Sequence, residues 1–403
     1  MIPCDEAQKI ILAATRPMGR EVVSVSLALG LTLSEEIVSG LDSPPWDTSA
    51  MDGYAVQWTD TIGASHAAPC RLEVIEHIPA GIMPQKTVMP NTCSKIMTGA
   101  PMPAGADAIV VLEETTEQGE TALIYAAARR DFIRYRGEVI RNGNVVLKKG
   151  TTLRPYEIAM MTSLGVSEVS VSRRPRVAIL STGNELVDLS EPRAPHQIYN
   201  SNGYGLAAQV TEAGGVPILL GIAKDTRIDL MNKLKGLAED DFIIISGGVS
   251  VGDYDFVKEL FLGGATGATF HKVAIKPGAP LAFGAIFGKP AFGLPGNPVS
   301  AMVTFDQFVR PALLTAQGCQ NPFRPTVSAA LMKNIKKKKD GKRHYVRGCL
   351  SIENGVYQVV PTASQDSANM LTLVEANAFI VLGEEEGDIQ AGSQVAVQII
   401  GAL

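Results

Sequence analysis

The 403-residue chain is short of the features that would place its chemistry quickly. Its five cysteines, Cys4, Cys70, Cys93, Cys319 and Cys349, are scattered with no C-x-x-C pair. Neither a disulfide framework nor a zinc site is therefore expected, and the thiols read as reduced and mostly buried. His66, His77, His196, His271 and His344 show no metal-ligand spacing, and no G-x-S-x-G or Cys/His arrangement suggests a covalent nucleophile. Electrostatics, a metal and positioning are left to do the chemistry. No apolar run reaches the roughly 20 residues that span a bilayer. The start, MIPCDEAQKIILAATRP, lacks the charged and apolar regions of a signal peptide. A cytoplasmic protein is expected. The formal net charge of -5 gives no general attraction to nucleic acid or to a membrane surface, so any polyanion site must be local.

What is present is the composition of a well-packed globular protein, 46% hydrophobic and 19% charged. The chain exceeds the roughly 250 to 300 residues at which a single core stops growing, so several domains are expected. Asp5 to Ala14 places Ala7, Ile10, Ile11 and Ala14 on one face at helical spacing, with two acids at the positive end of the helix dipole. PPWDTSAMDGYAV (44–56) is rich in turn formers and marks a change of domain. Short β-type runs from Leu72 to Arg136 predict a small all-β barrel or sandwich, inserted before a return that includes a helix over Pro155 to Ser163. From Arg176 the texture changes. Strands RVAILS, VPILLGIA, DFIIIS and PAFGLP alternate with helical stretches, which predicts a parallel sheet covered on both faces. Such sheets bind ligands at the carboxyl ends of their strands. After Pro325 the chain is β-like again, and its lysine-rich run Lys336 to Arg343 reads as a solvated hairpin tip because of its Asp-Gly pair.

Three loops share one design of strand, glycine- or Asn-containing turn and helix start: Ser181–Glu185, Ser246–Asp253 with Gly247, Gly248 and Ser250, and Leu294–Ser300 with Gly296 and Asn297. Such turns present main-chain N–H groups beside a helix dipole and so receive phosphate or another oxyanion. Glu185, Asp225, Asp253 and Asp255 fall in or beside the same loops. Carboxylate oxygens from separate loops suit Mg²⁺, although Asp225 and Asp253 could equally be helix caps. Lys272 and Lys276, at even spacing on a presumed β run, would point to one side and balance an oxyanion.

SAMDGYAV (49–56), IMTGAPMPAGADAIV (96–110), STGNEL, IYNSNGYGL (198–206), SGGVSVGDYDFVK (246–258), AIKPG and LPGNPVSA follow one another along nearly the whole chain. In these segments and their order the chain resembles the MoeA and gephyrin E-domain family. The resemblance implies a multidomain α/β plus β protein: a mixed, elongated domain (1–45 and 137–173), an inserted small β domain (46–136), a Mog-like doubly wound α/β domain with the active site (174–322) and a C-terminal β-barrel-like domain (323–403). It implies a homodimer, with the α/β domain facing the second domain of the partner. It implies an enzyme that inserts molybdenum into adenylylated molybdopterin with Mg²⁺, releasing AMP. A related adenylyltransferase is a possible supplier of the pterin substrate. Carried over by position, Asp52, Thr98, Glu185, Asp225, Asp255, Lys272 and Lys276 are the catalytic set, with Glu185, Asp225, Asp253 and Asp255 around the metal. Lys276, Pro280, Ser300, Arg347 and Ser367 would surround molybdate, and Arg134 would contribute a further cation.

This sequence departs from the family pattern at three positions: Ala279 replaces a usual lysine, Val139 a usual aspartate, and Asp366 a usual glycine. Alternatives in keeping with those departures are a non-catalytic scaffold, a molybdopterin adenylyltransferase or a tungstate-preferring insertase.

Overall fold

A computed structural model describes residues 1–235, 237–248, 261 and 269–402. The chain divides into two compact units, one made of Met1–Ser34, Gly150–Arg154 and Glu168–Leu403, the other of Glu35–Lys149 and Pro155–Ser167.

The larger unit begins with helix α1 (Cys4–Ala14), which buries Cys4, Ala7 and Ile11. Its α/β part is built on strands β1 (Arg176–Thr182), β2 (Val216–Ala223) and β3 (Phe242–Ser246), separated by helices α2 (Ser201–Glu212) and α3 (Arg227–Lys233). It continues through β4 (Ile275–Lys276), β5 (Ala282–Ile286), β6 (Lys289–Leu294), α4 (Pro298–Thr304) and α5 (Arg310–Ala316). The sheet runs β2-β1-β3-β6-β5, with β1, β2, β3 and β6 mutually parallel and β5 antiparallel to β6. Alternation along the strands sends Val177, Ile179, Phe242 and Ile244 into one core with α1, α2, α4 and α5, and Ala178, Leu180, Ile243 and Ile245 into another with α3. Both faces are thus covered, as expected of a parallel sheet. Because β1 lies between β2 and β3, the chain reverses direction across the sheet there, and the loops after β1 and β3 flank that switch point.

Two expectations are corrected in the α/β part. The strand β5 was not foreseen: it pairs with β6 through a two-residue turn in which Phe287 and Gly288 both take positive φ. That turn carries no Asn-Gly or Asp-Gly signal, the usual mark of such a hairpin. Lys272 and Lys276 do not share a strand either. β4 is two residues long, Val273 forms a separate bridge with Ile2, and the Ile2 N–H donates to the Lys272 carbonyl at 3.0 Å.

The chain then forms β7 (Thr326–Leu331), β8 (Arg343–Glu353), β9 (Val356–Pro361), β10 (Ala378–Leu382) and β11 (Gln394–Ile399). Neighbours run β8-β9-β7-β11-β10, and β10 pairs back to β8, so the five strands close into a barrel without a free edge. β8 achieves this by its length, pairing with β10 along Arg343-side residues 344–348 and with β9 along 348–353. Since β7 and β8 are not partners, the lysine-rich run between them is no hairpin tip. Lys337 is buried there, donating to the Glu386 carbonyl at 2.8 Å. β4 adds to β8 in parallel, opposing Lys276 to His344.

The smaller unit carries a six-stranded sheet of Gly53–Val56, Cys70–Ile78, Thr92–Ile96, Ala108–Val111, Thr115–Gln118 and Thr121–Ile124, the all-β module its alternating runs predict. Helix Pro155–Ser163 belongs to this unit.

Candidate functional site

The three loops at the carboxyl edge of the sheet converge through named bonds. Asn202, in the first turn of α2, donates from Nδ2 to Ser246 Oγ after β3 and to the Gly296 carbonyl after β6, each at 2.9 Å. Asn200 caps α2 by accepting from the Gly203 N–H at 3.0 Å and takes the Ser181 hydroxyl of β1 at 2.7 Å. Gly247 adopts φ +99°, and a Cβ there would lie 2.6 Å from the Thr182 carbonyl oxygen, so only glycine lets β1 and β3 come this close. Its N–H already donates to the Leu294 carbonyl at 3.0 Å, so Gly247 packs loops together and is not an open donor. Gly248 also has positive φ, and Gly296 lies against Gly247. Asn202 was missed as a site residue although its segment was singled out; the pattern N-S-N at a helix start carries both ties.

Acidic groups sit beside these turns. The Glu185 carboxylate folds over Gly183, where a Cβ would stand 2.6 Å from Glu185 Oε2. Asp225 accepts the Asn184 N–H at 3.3 Å, and Asn184 Oδ1 accepts the Asp225 N–H at the same distance, which ties the loops after β1 and β2. Ser250, Asp253 and Asp255 lie outside the described residues. Among the described residues no group of three or more His, Cys, Asp and Glu is arranged to hold a metal. Glu185 and Asp225 offer hard carboxylate oxygens, the donor type of a Mg²⁺ that is completed by substrate phosphates and water.

Where α4, β4 and β8 meet, Lys276, Pro277, Gly278, Ser300, Arg347 and Ser367 line a cavity of about 190 Å³. Four of the five residues expected around an oxyanion are therefore brought together. Pro280 is not on that wall; Pro277 and Gly278 take its place. Lys272 does not line this cavity. The approach is tight because Gly278, at φ +106°, would with a Cβ come 2.3 Å from Thr304 Cγ2 of α4. Ser367 is held by the start of α4: Asn297 Nδ2 donates to Ser367 Oγ at 3.1 Å, and the Val299 N–H donates to the Ser367 carbonyl at 3.1 Å.

Arg347 is 2% exposed. It lies on β8 beside Tyr345, on the barrel face that packs into the α/β core. Its Nε donates to Thr372 Oγ1 at 3.3 Å and its Nη2 to the Asp366 carbonyl at 3.1 Å, and no carboxylate pairs with it among the described residues. Burial pulls the guanidinium below its ordinary pKa, opposed by the charge of Asp366. Asp366 itself turns its carboxylate to the Ala368 N–H at 3.0 Å and is not on the cavity wall. A buried cation with neutral partners is costly unless an anion completes it, so the cavity is electrostatically set for one. His344, also overlooked, forms part of the wall; its Nε2 lies 3.1 Å from Asp340 Oδ1, and burial, aided by Lys337 and Lys276, lowers its pKa.

In the smaller unit Asp52 and Thr98 form a pair: the Thr98 N–H and hydroxyl donate to Asp52 Oδ1 at 2.7 and 2.9 Å. These bonds, the main-chain one foremost, hold the carboxyl below the usual carboxylate range. Arg134 lies exposed on the strand Ile133–Arg134, and Val139 is exposed as well.

This architecture, an open α/β sheet with converging loops and a pocket walled by a buried arginine, defines a multidomain enzyme. Comparison with known proteins makes the class specific. The MoeA N-terminal region (domain I and II) matches residues 2–165, a "Probable molybdopterin binding domain" matches 178–315, and the MoeA C-terminal region (domain IV) matches 328–400. The chain is 39% identical over 386 residues to the molybdopterin molybdenumtransferase of Nostoc sp., covering 94% of this chain and 88% of that one. It is 39% identical over 399 residues to molybdopterin molybdenumtransferase 2 of Mycobacterium tuberculosis, covering 97% and 98%. The crystal structure of a molybdopterin biosynthesis MoeA protein from Pyrococcus horikoshii superposes with a TM-score of 0.84 at 31% identity over the full length of both chains. The chain belongs to the MoeA family.

No helix among the described residues is long and apolar enough to cross a membrane.

Proposed function

We propose that this chain inserts molybdenum into adenylylated molybdopterin, releasing AMP and forming molybdenum cofactor. The observation that carries the reading is the buried Arg347, without a carboxylate partner among the described residues, in a cavity shared with Lys276, Ser300 and Ser367. A fixed guanidinium, a lysine and two hydroxyls in that arrangement replace the water shell of a tetrahedral dianion such as molybdate. The turns carrying Gly248, Gly296 and Asn297, at the carboxyl ends of β3 and β6, suit the phosphoanhydride of the pterin substrate.

Glu185 and Asp225 are the residues that would hold Mg²⁺, joined in this reading by Asp253 and Asp255, which lie outside the described residues. When bound, that ion supplies charge neutralisation and polarisation of a phosphoanhydride. The chain's own residues orient the two substrates: Arg347, Lys276, Ser300 and Ser367 hold the oxyanion, while the turns carrying Gly248, Gly296 and Asn297 receive the phosphates. The bond that breaks joins the pterin phosphate to AMP; an oxygen of water or molybdate attacks, and AMP leaves with the bonding pair. In this reading the protein is a cytoplasmic homodimer, and Asp52, Thr98 and Arg134 of one subunit face the α/β domain of the other.

The test is AMP release from adenylylated molybdopterin on adding molybdate and Mg²⁺. Release that needs both additions, and is lost in Arg347→Met, is the expected result. AMP release that ignores molybdate would overturn the reading.

A further inference from the structure

The Lys336–Arg343 run, whose Asp-Gly pair predicts a solvated hairpin tip, instead borders through Lys336, Lys337 and Lys338 a second and larger cavity of about 760 Å³. Lys276, Lys333, Lys336 and Lys338 line it, with His344, at one end of the barrel, where Val346 and Ile335 of the barrel core form part of the wall. Among the described residues none of these four lysines has a carboxylate within ion-pair distance. The one acid on the wall, Asp388, is engaged by the Lys337 N–H at 2.8 Å. Lys276, His344, Val346 and Gln365 also line the smaller Arg347 pocket, so the two cavities share a wall.

The two sets of cations differ in kind. The lysines are flexible, hydrated point charges that attract an anion from solution and release it readily. Arg347 is buried and held by bonds on two of its nitrogens. A path that begins with weak, mobile cations and ends at a rigid one favours capture followed by onward transfer, because binding at the first station is too weak to trap the ion. We propose that the larger cavity is a loading vestibule for a tetrahedral oxyanion, which passes from the lysines across Lys276 and His344 to Arg347. The inference rests on the insertion reading and adds to it how the inorganic substrate arrives.

The lysines should then govern the rate of arrival and not the hold on the bound ion, since charges lining an approach act on association and its salt dependence. Rapid filtration with radiolabelled molybdate separates the two rates in the full-length protein. The variant to compare is the triple replacement Lys333→Gln, Lys336→Gln, Lys338→Gln. A control of equal charge, Lys9→Gln, Lys148→Gln, Lys235→Gln, removes exposed lysines elsewhere. Lys337 is left alone because it is buried. Expected is an association rate lowered on the order of tenfold at low salt, a flatter salt dependence and a dissociation rate within about twofold of the parent. An association rate equal to that of the control overturns the inference alone, as does a weaker affinity carried entirely by faster dissociation. Absence of molybdate uptake by the parent chain overturns the insertion reading and this inference with it.

Discussion

Arg347 concentrates the account in one side chain. Replacing it by methionine removes a buried charge that has only neutral partners, so the fold should change little, with stability within about 1 kcal/mol of the parent. Oxyanion affinity should fall by about 2 to 5 kcal/mol, the scale of losing one member of a desolvated charge pair. Thermal unfolding and equilibrium binding on the same preparation check both halves. His344 supplies a pH signature. Its folded pKa lies below the ordinary value, chiefly through burial, so the unfolded chain binds the extra proton first as pH falls. Its contribution to stability is therefore intact above the unfolded value of about 6.5 and declines below it. His344→Gln should flatten the fall in unfolding temperature between neutral pH and about pH 5, and identical profiles would contradict the assignment. These two residues differ in how far their residue type reveals them. Arg347 was reached through resemblance alone, since one arginine on a β run carries no local mark of burial. His344 has no metal-ligand spacing to mark it, and its place depends on β4 pairing with β8 across more than sixty intervening positions.

At the scale of elements, glycine geometry sets the pocket. Gly278→Ala would thrust a methyl group to 2.3 Å from Thr304 Cγ2 at a backbone conformation that resists side chains. A loss of about 1 to 3 kcal/mol in stability is expected, together with weaker molybdate binding as the Lys276 turn lifts from α4. Chemical denaturation and binding titration would show both, and parent-like values in each would mean the turn does not shape the cavity. Elements with long apolar periodicity were legible in advance: β1, β2, β3, β6 and α2 lie where their alternating or helical patterns put them. Those set by long-range pairing were not. β5 lacked a turn signal, β4 is only two residues of a run that looked like a full strand, and closure of the barrel depends on β8 changing partners midway. The Asp-Gly pair in the lysine run misled for the same reason, since a hairpin signal is local and the partner of β8 is not. The candidate site was partly legible. The loops announced themselves by composition, but their convergence hangs on the side chain of Asn202, which local pattern cannot aim.

Across the larger unit, a buried polar cluster fastens the α/β part to the barrel. Arg324 donates to Asp306 Oδ1 at 2.9 Å and to Glu212 Oε1 at 3.0 Å, while Gln307 bonds Asp306 and, through Gln398, β11, each at 2.9 Å. Asp306→Ala would leave the half-buried Arg324 guanidinium with Glu212 as its one remaining carboxylate among the described residues, at a cost of about 1 to 3 kcal/mol. The urea midpoint should fall accordingly; a change below about 1 kcal/mol would mean the cluster is not what joins the two parts. That junction matters to function because the oxyanion pocket takes Lys276 and Ser300 from one part and Arg347 and Ser367 from the other. The central claim, that this shared pocket receives molybdate, is tested most directly by anomalous diffraction at the molybdenum edge from crystals soaked in molybdate. A peak is expected within hydrogen-bonding reach of the Arg347 guanidinium and the Ser300 and Ser367 hydroxyls. A molybdenum peak elsewhere on the chain, with that pocket holding only water, would contradict it.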